Sequence, residues 1–208
     1  MDGETIYLTS TIKRKEFSFI NSNNPIITYF GNIRMGRNSS LNDIGYALGR
    51  INSKYVLEVY STEDNPSVYG IFDKNPNVKY GGKIPYEQVQ KKMAISDITV
   101  IVEGFLPADI NWSRYSLSTK AADALASGAT ILTYGSKECG IIEYMQSTNA
   151  SFVCTEKNEL ESVIREMLTN TKKQKKFYDQ QIVLTLEHHN LNRSCEIFES
   201  VVSRALKK

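Results

Sequence analysis

The sequence has few of the residues that build covalent or metal-bound frameworks. It contains three cysteines and two histidines in 208 residues. No two cysteines stand in a Cys-x-x-Cys pair, which argues against a disulfide framework and a zinc cage and favours a reducing, cytoplasmic location. We expect the two histidines, His188 and His189, on the exposed polar face of a tail helix rather than in a catalytic site.

The excess of one sign of charge over the other is also small. Twenty-five Lys and Arg against 23 Asp and Glu leave a formal net charge of +2, too small an excess to indicate nucleic acid or a membrane surface as partner. No stretch approaches the roughly 18 apolar residues of a transmembrane segment. The lysine run at 172–176 leaves open a weak membrane-surface contact, with a solvated helix start as the simpler interpretation.

What recurs instead is a set of short apolar runs rich in β-branched and aromatic residues, which predict buried strands. The runs are Ile26–Phe30, Tyr55–Tyr60, Val78–Tyr80, Ile98–Val102, Ala129–Tyr134 and Ser151–Cys154. Segments with helical spacing separate them. Strands alternating with helices predict an α/β fold, a Rossmann-like parallel sheet of about six strands with helices on both faces.

The two ends of the chain differ from this pattern. Residues 1–24 show no clear period and are interpreted as a linker-like lead-in. The predicted domain covers residues 25–189. From residue 160 onwards the spacing is helical only, which predicts a helical C-terminal tail whose last helix lies within 190–208.

One candidate ligand segment follows the first predicted strand. Ligands of open parallel sheets lie beyond the carboxyl ends of the strands, near helix N-termini. Gly31 and Asn32 come directly after the strand, and Arg34 and Arg37 offer bidentate contacts to phosphate. An ordinary turn with solvated arginines is the alternative. The segment lacks the Gly-x-Gly-x-x-Gly spacing, which disfavours a dinucleotide-binding oxidoreductase.

A second candidate segment opens the helix that begins near residue 118. Ser118 and Thr119 stand where a helix cap is expected, and Asp123 follows Thr119 by four residues on the same face. The arrangement suits a phosphate at the helix tip and a sugar hydroxyl one turn further along. A capped amphipathic helix with a solvated Asp123 is the alternative from spacing alone.

Three segments in order carry a resemblance to a known family. They are Tyr29–Ile33, Val78–Val100 with its Gly81-Gly82 turn and Ser96-Asp97 pair, and Lys120–Leu132 with its Ala-Ser-Gly ending. Over roughly residues 25–170 the chain resembles the C-terminal, nucleotide-sugar-binding domain of GT-B glycosyltransferases of the glycogen-synthase-like group. The resemblance implies one half of a GT-B fold.

The resemblance also implies a nucleoside site. Asp123 stands where the family has the acid that binds the ribose hydroxyls, although a Glu is usual there. The turn that reads the nucleobase corresponds to Gly82, Lys83 and Ile84. Tyr115 stands where well-known members carry another Glu, eight residues before the ribose-binding acid. This departure leaves the sugar-binding geometry and the retaining or inverting outcome open.

The diphosphate is implied to lie at the start of the same helix. The resemblance gives this role to the backbone amides of Ser118 and Thr119, with Lys120 adding positive charge. Arg34 and Arg37 compete for neutralising the diphosphate as it leaves, and they are the predicted catalytic residues. The implied reaction needs no metal or other cofactor, and the sequence has no Asp-x-Asp motif or histidine cluster that would require one.

The resemblance therefore implies a donor-binding domain that holds a nucleoside-diphosphate sugar for glycosyl transfer in polysaccharide or glycan biosynthesis. A GT-B enzyme has two such domains, so the chain alone is expected to be inactive, with residues 190–206 crossing toward a missing N-terminal acceptor domain. Two alternatives stay open. One is a non-catalytic nucleotide-sugar-binding subunit, and the other is a GT-B-related sugar-nucleotide epimerase.

Overall fold

A computed structural model describes residues 4–206, and these residues contain a single six-stranded parallel sheet. Its strands are β1 (Ile27–Phe30), β2 (Leu57–Tyr60), β3 (Val78–Gly82), β4 (Ile98–Val102), β5 (Thr130–Tyr134) and β6 (Phe152–Cys154). Each strand overlaps one of the six predicted runs, so the predicted α/β fold is confirmed. The strand order is β3-β2-β1-β4-β5-β6.

Helices connect the strands and complete the C-terminal part of the fold. They are α1 (Arg37–Ile51), α2 (Pro66–Tyr69), α3 (Tyr86–Ile95), α4 (Pro107–Ser113), α5 (Lys120–Ser127), α6 (Gly140–Thr148), α7 (Leu160–Thr169), α8 (Thr171–Glu187) and α9 (Leu191–Leu206). The predicted helical tail is confirmed as far as residue 206, whereas its last two residues lie outside the described part of the chain. No helix within residues 4–206 is long and apolar enough to cross a bilayer.

Helices cover both faces of the central strands, and successive residues of a strand enter different cores because they point to opposite sides of the sheet. Val100 and Val102 belong to a core that also contains residues of α1 and α7. Ile101 and Ile131 belong to a second core with residues of α5 and α6. Strands covered on both faces consist mostly of apolar residues, so they can be recognised in the sequence as short apolar runs.

The strand order reverses between β1 and β4, and the loops that follow these strands separate there. The loop after β1 contains three residues with positive φ, +141° at Gly31, +59° at Met35 and +73° at Gly36. Gly36 lies immediately before α1. These glycines bring the β1–α1 loop close to the loop after β4, where Gly104 Cα would lie 2.9 Å from a Cβ placed on Gly36.

The lead-in contains neither helix nor strand over residues 4–24, yet it packs along the domain. Ile12 and Ile20 are buried. The Lys15 amide donates to the carbonyl of Ser127 at 3.0 Å, and the Ile20 amide donates to Gln174 Oε1 at 3.3 Å. These contacts fasten the segment to α5 and α8. Residues 1–3 of the predicted lead-in lie outside the described residues.

The expected position of the two histidines is wrong. His188 and His189 lie in the turn between α8 and α9, not on a polar helix face. Both are half-buried, and the Tyr7 ring stacks on His188 with a centroid distance of 4.9 Å. Both histidines are therefore packed in a half-buried aromatic cluster and are not fully solvated.

Part of the lysine run is engaged with neighbouring carboxylates. Lys173 Nζ lies 2.7 Å from Glu166 Oε1, and Lys175 forms an ion pair with Asp179 one helical turn along α8. These exposed pairs are typical of a solvated helix start. The membrane-surface contact stays a prediction.

Candidate functional site

An open cleft of about 240 Å³ lies at the carboxyl ends of β1, β2 and β3. It is lined by Phe30, Gly31, Asn32, Tyr60, Ser61, Thr62, Lys83, Ile84, Tyr86, Val89 and Asp123. Residues from each of the three family-like segments therefore meet in one cleft. This edge of a parallel sheet is where ligands of open α/β folds bind.

The floor of the cleft is apolar and aromatic. The rings of Phe30 and Tyr60 stack with centroids 5.4 Å apart and an interplanar angle of 14°. Ile84 and Val89 pack against the same cluster. Phe30 and Tyr60 are the last residues of neighbouring strands, so the parallel register of β1 and β2 places their side chains together.

One wall is the turn that follows β3. Gly82 has φ of +64°, a conformation that glycine adopts without strain, and its carbonyl accepts a hydrogen bond from the Ser61 amide at 3.0 Å. Lys83 is exposed and Ile84 half-buried, and both line the cleft. Gly82 shapes the turn without lining the cleft itself.

The opposite wall is Asp123, in the first turn of α5. Its carboxylate is half-buried, and Oδ1 accepts a hydrogen bond of 2.5 Å from the Ser10 hydroxyl. Ser10 belongs to the lead-in, 113 residues away in the sequence. Asp123 is therefore not fully solvated, and its ribose-binding role stays a prediction.

The start of α5 differs from the expected side-chain cap. Thr119 occupies the cap position but its side chain makes no capping hydrogen bond. The Ala121 amide, in the first turn of the helix, donates to the Ser118 carbonyl at 2.9 Å instead of to a capping side chain. Ser118 lines a neighbouring cavity beside Tyr144 and His189 rather than the cleft. The predicted capping role of these two side chains is wrong, while the role of their amides stays a prediction.

A charged cluster lies where β1 and β4 diverge. Arg37 Nη2 lies 2.7 Å from Glu103 Oε2, and the two side chains are only 13% and 3% exposed. Lys120 Nζ donates to the Tyr29 hydroxyl at 2.9 Å and lies 5.1 Å from the centre of that ring. Asp109 belongs to the same cluster, because its carboxylate acts on Glu103 and its Oδ2 is buried without a hydrogen-bond partner among the described residues. Two cations and two carboxylates therefore share this largely buried position.

Burial perturbs the ionisable groups of this cluster. It lowers the pKa of Lys120 to about 8, and repulsion from Arg37 contributes in the same direction. Burial also raises the pKa of Glu103, an effect that the positive charge of Arg37 opposes. Charge pairing therefore offsets only part of the cost of holding these groups away from water.

Arg34 and Tyr115 do not line the cleft. Arg34 is turned toward Glu63, with Nε 2.5 Å from Oε2 and Nη2 2.8 Å from Oε1. Tyr115 follows α4 and is 94% exposed. Asn32 lines the cleft, but its side-chain oxygen accepts from the Arg34 amide at 2.6 Å.

Three members of the charged cluster, Tyr29, Glu103 and Asp109, are not among the predicted site residues. Tyr29 is predicted only as part of the first strand. A signal for Glu103 is present, because an acid directly after the five buried residues of β4 needs a partner. Within residues 4–206 there is no group of three or more His, Cys, Asp or Glu side chains that could hold a metal ion.

No protein-family model and no curated protein sequence matches the chain. Solved structures do match it. The C-terminal domain of a group 1 family glycosyl transferase, LpcC from Francisella tularensis, is 11% identical with a TM-score of 0.65, over 89% of this chain and 100% of that domain. Staphylococcus aureus TarM, solved as a point mutant in complex with Fondaparinux, alpha-GlcNAc-glycerol and UDP, is 13% identical with a TM-score of 0.66.

The TarM match covers 96% of this chain and 40% of TarM. The UDP-GlcNAc 2-epimerase of Neisseria meningitidis, bound to UDP-GlcNAc, is 15% identical with a TM-score of 0.58, over 91% of this chain and 46% of the epimerase. The chain thus spans less than half the length of these two proteins. At such low identities the likeness establishes the fold, and this chain has the fold of the C-terminal domain of a GT-B glycosyltransferase.

Proposed function

We propose that the chain is the donor-binding domain of a glycosyltransferase and holds a nucleoside-diphosphate sugar in the cleft. The observation that carries this proposal is the position of the cleft. It joins an aromatic floor and Asp123 at the carboxyl ends of the strands, and a cluster that contains the two cations Arg37 and Lys120 lies beside it where the strand order reverses.

The cleft suits a nucleoside. The stacked rings of Phe30 and Tyr60 offer an apolar surface for a heterocyclic base. The main chain of Lys83 and Ile84 offers hydrogen-bonding groups to the edge of the base. Asp123, on the opposite wall, offers a carboxylate to the ribose hydroxyls.

The charged cluster suits the diphosphate. Arg37 and Lys120 are two cationic donors close together, and both can donate charge-assisted hydrogen bonds to a diphosphate. Glu103 and Asp109 balance their charge. As the glycosidic bond to the donor breaks, the departing diphosphate gains negative charge, so fixed cations and helix amides lower the barrier. Arg37 is better placed than Arg34 for this role, because it lies beside Lys120 in the cluster, whereas Arg34 is turned away toward Glu63.

We further propose that glycosyl transfer needs an acceptor-binding domain, since the chain spans 40% of TarM. The exposed apolar side chains of α9, including Phe198 at 60% and Leu206 at 83% exposure, offer a contact surface for that domain. Polysaccharide or glycan biosynthesis in the cytoplasm, without a metal cofactor, is the setting we propose for the complete enzyme.

A sugar-nucleotide epimerase is the second candidate. The likeness to UDP-GlcNAc 2-epimerase supports it, as does Tyr115, which stands where glycosyltransferases of the resembled group carry an acid. Incubation of the chain with a nucleotide sugar, followed by product analysis, separates the candidates. An epimerised nucleotide sugar would favour the epimerase, whereas transfer that appears only with an acceptor-binding domain would favour the transferase.

Binding is the first test. We expect at least one of UDP, GDP, ADP and dTDP to raise the thermal unfolding midpoint, because a ligand that binds only the folded state stabilises it. Asp123→Asn should weaken this binding, and Glu143→Gln, which alters an exposed acid on α6, should not. If no nucleoside diphosphate binds the wild-type chain, the proposal is wrong.

A further inference from the structure

The lead-in contacts the proposed ribose-binding acid directly. The Ser10 hydroxyl donates to Asp123 Oδ1 at 2.5 Å. The same hydroxyl oxygen accepts a hydrogen bond from the Ile12 amide at 3.1 Å. The Ile12 amide is a donor, so it bonds to the hydroxyl oxygen. The single hydrogen of the hydroxyl therefore stays available for Asp123.

This contact leaves half of the carboxylate for a ligand. Within residues 4–206, Asp123 Oδ1 accepts from Ser10 while Oδ2 has no hydrogen-bond partner. Asp123 itself lines the cleft. A carboxylate held through one oxygen loses rotational freedom, and its other oxygen stays available to a ligand.

The lead-in also supports the floor of the cleft. Ile12 is 8% exposed and belongs to the same small apolar cluster as Phe30. Tyr60, Ile84 and Val89 pack against that cluster. The short stretch from Ser10 to Ile12 therefore contacts both the acid and the aromatic floor.

The position of Ser10 is fixed by contacts to the helix that carries Asp123. Arg14 Nη2 donates to the Leu125 carbonyl at 2.6 Å, and the Lys15 amide donates to the Ser127 carbonyl at 3.0 Å. Leu125 and Ser127 follow Asp123 on α5. The lead-in and the acid are thus held to one rigid element.

We propose that Ser10 is a positioning residue for ribose recognition: it orients the Asp123 carboxylate toward the 2′- and 3′-hydroxyls of a nucleoside diphosphate. The inference rests on the proposed function, because it needs a nucleotide in this cleft. Preorganisation of a polar group removes part of the entropy cost of binding. Loss of one charge-assisted hydrogen bond to the acid should weaken ribonucleotide binding by about tenfold.

The test compares ribose and deoxyribose ligands. Calorimetric titration measures Kd for whichever of UDP, GDP and ADP binds wild type most tightly, and for its 2′-deoxy and 3′-deoxy analogues. Ser10→Ala should weaken the ribonucleotide more than at least one deoxy analogue, and Ser10→Thr, which retains the hydroxyl, should restore affinity. Ser18→Ala, an exposed serine of the same segment, should change none of these values.

A second measurement separates positioning from general support. In an Asp123→Asn background, Ser10→Ala should cause a much smaller further loss, because the partner of its hydrogen bond is already altered. Equal loss for ribose and both deoxy ligands, or no loss at all, would overturn the role of Ser10 while leaving the nucleotide site intact. Failure of wild type to bind any nucleoside diphosphate would instead remove the proposed function and this inference with it.

Discussion

The Lys120 side chain occupies the space that a side chain on Gly31 would need. A Cβ atom on Gly31 would lie 1.9 Å from Lys120 Cε and 2.5 Å from Nζ. The glycine also has φ of +141°, which disfavours any other residue. Lys120 passes over the β1–α1 loop because the loop has no side chain at this point.

Gly31→Ala should therefore displace Lys120 as well as strain the loop. We expect a loss of about 1–3 kcal/mol in the free energy of unfolding, from backbone strain, and weaker nucleoside diphosphate binding. Gly82→Ala is the matched control for stability, because Gly82 also has positive φ but its Cβ would meet nothing within 4 Å. Urea denaturation of both variants measures the difference, and equal destabilisation would show that Lys120 yields without cost.

Lys120 should make folding stability depend on pH in the alkaline range. Its pKa is about 8 in the folded chain, below the ordinary 10.5. Between these values the unfolded chain holds more protons than the folded chain, so this residue's contribution makes stability rise with pH. We expect Lys120→Met to be more stable than wild type near pH 7 and to lose this rise.

The measurement is the free energy of unfolding at pH 7 and pH 9.5, with Lys176→Met, an exposed lysine of α8, as control. The same variant should bind nucleoside diphosphate about tenfold more weakly, since it lacks one charged donor. A Lys120→Met protein with the wild-type pH profile would contradict a perturbed lysine at this position.

Burial pattern explains how much of the molecule was predictable from sequence. Strands such as β4, buried on both faces, are mostly apolar, and β-branched or aromatic residues also mark the partly exposed β2 and β3. All six strands and the α/β class could therefore be predicted. Gly31, Lys83 and Asp123 could be placed near one another, because the carboxyl ends of parallel strands share an edge.

Long-range polar contacts could not be predicted. Ser10 and Asp123 are 113 residues apart. The lead-in has no periodic pattern of apolar residues from which its packing could be predicted. The side-chain direction of Arg34 depends on Glu63, which follows a different strand. Such pairings depend on the loops' three-dimensional paths, which residue spacing does not specify.

The Arg37–Glu103 ion pair should be important for stability. Arg37→Ala leaves a carboxylate that is 3% exposed without its partner, and removing one member of a buried pair costs about 3–5 kcal/mol. Arg50→Ala is the control, because the Arg50–Glu161 pair is 57% and 33% exposed and such pairs contribute roughly 0–1 kcal/mol.

The cost of Arg37→Ala should depend on pH with a defined sign. Burial already raises the pKa of Glu103 above 4.5, and loss of Arg37 raises it further. The folded variant therefore keeps a proton that the unfolded chain releases, and stability falls as pH rises above 4.5. Chemical denaturation at pH 5 and pH 8 should give a smaller deficit at pH 5; an equal deficit at both would contradict an unpaired carboxylate.

Tyr144 and His189 provide a last test, at the opposite end of the pH range. His189 Nδ1 lies 2.7 Å from the Leu8 carbonyl, which can only accept, so this nitrogen carries hydrogen. In the neutral ring Nε2 then accepts from the Tyr144 hydroxyl at 3.0 Å. Burial lowers the pKa of His189 below 6.5, so the folded chain keeps this neutral form where the unfolded chain takes up a proton.

His189 should therefore cost stability as pH falls below about 6.5. His189→Asn, whose amide can still donate to the Leu8 carbonyl, should reduce the loss of stability between pH 7 and pH 5. Tyr144→Phe should lower the free energy of unfolding by about 1–3 kcal/mol, since it leaves the half-buried ring nitrogens without their hydroxyl partner. Nuclear magnetic resonance titration, with His188→Asn to assign the two rings, measures the pKa directly. A value for His189 at or above 6.5 would contradict this account, because burial of the neutral ring is the main cause of the lowered pKa.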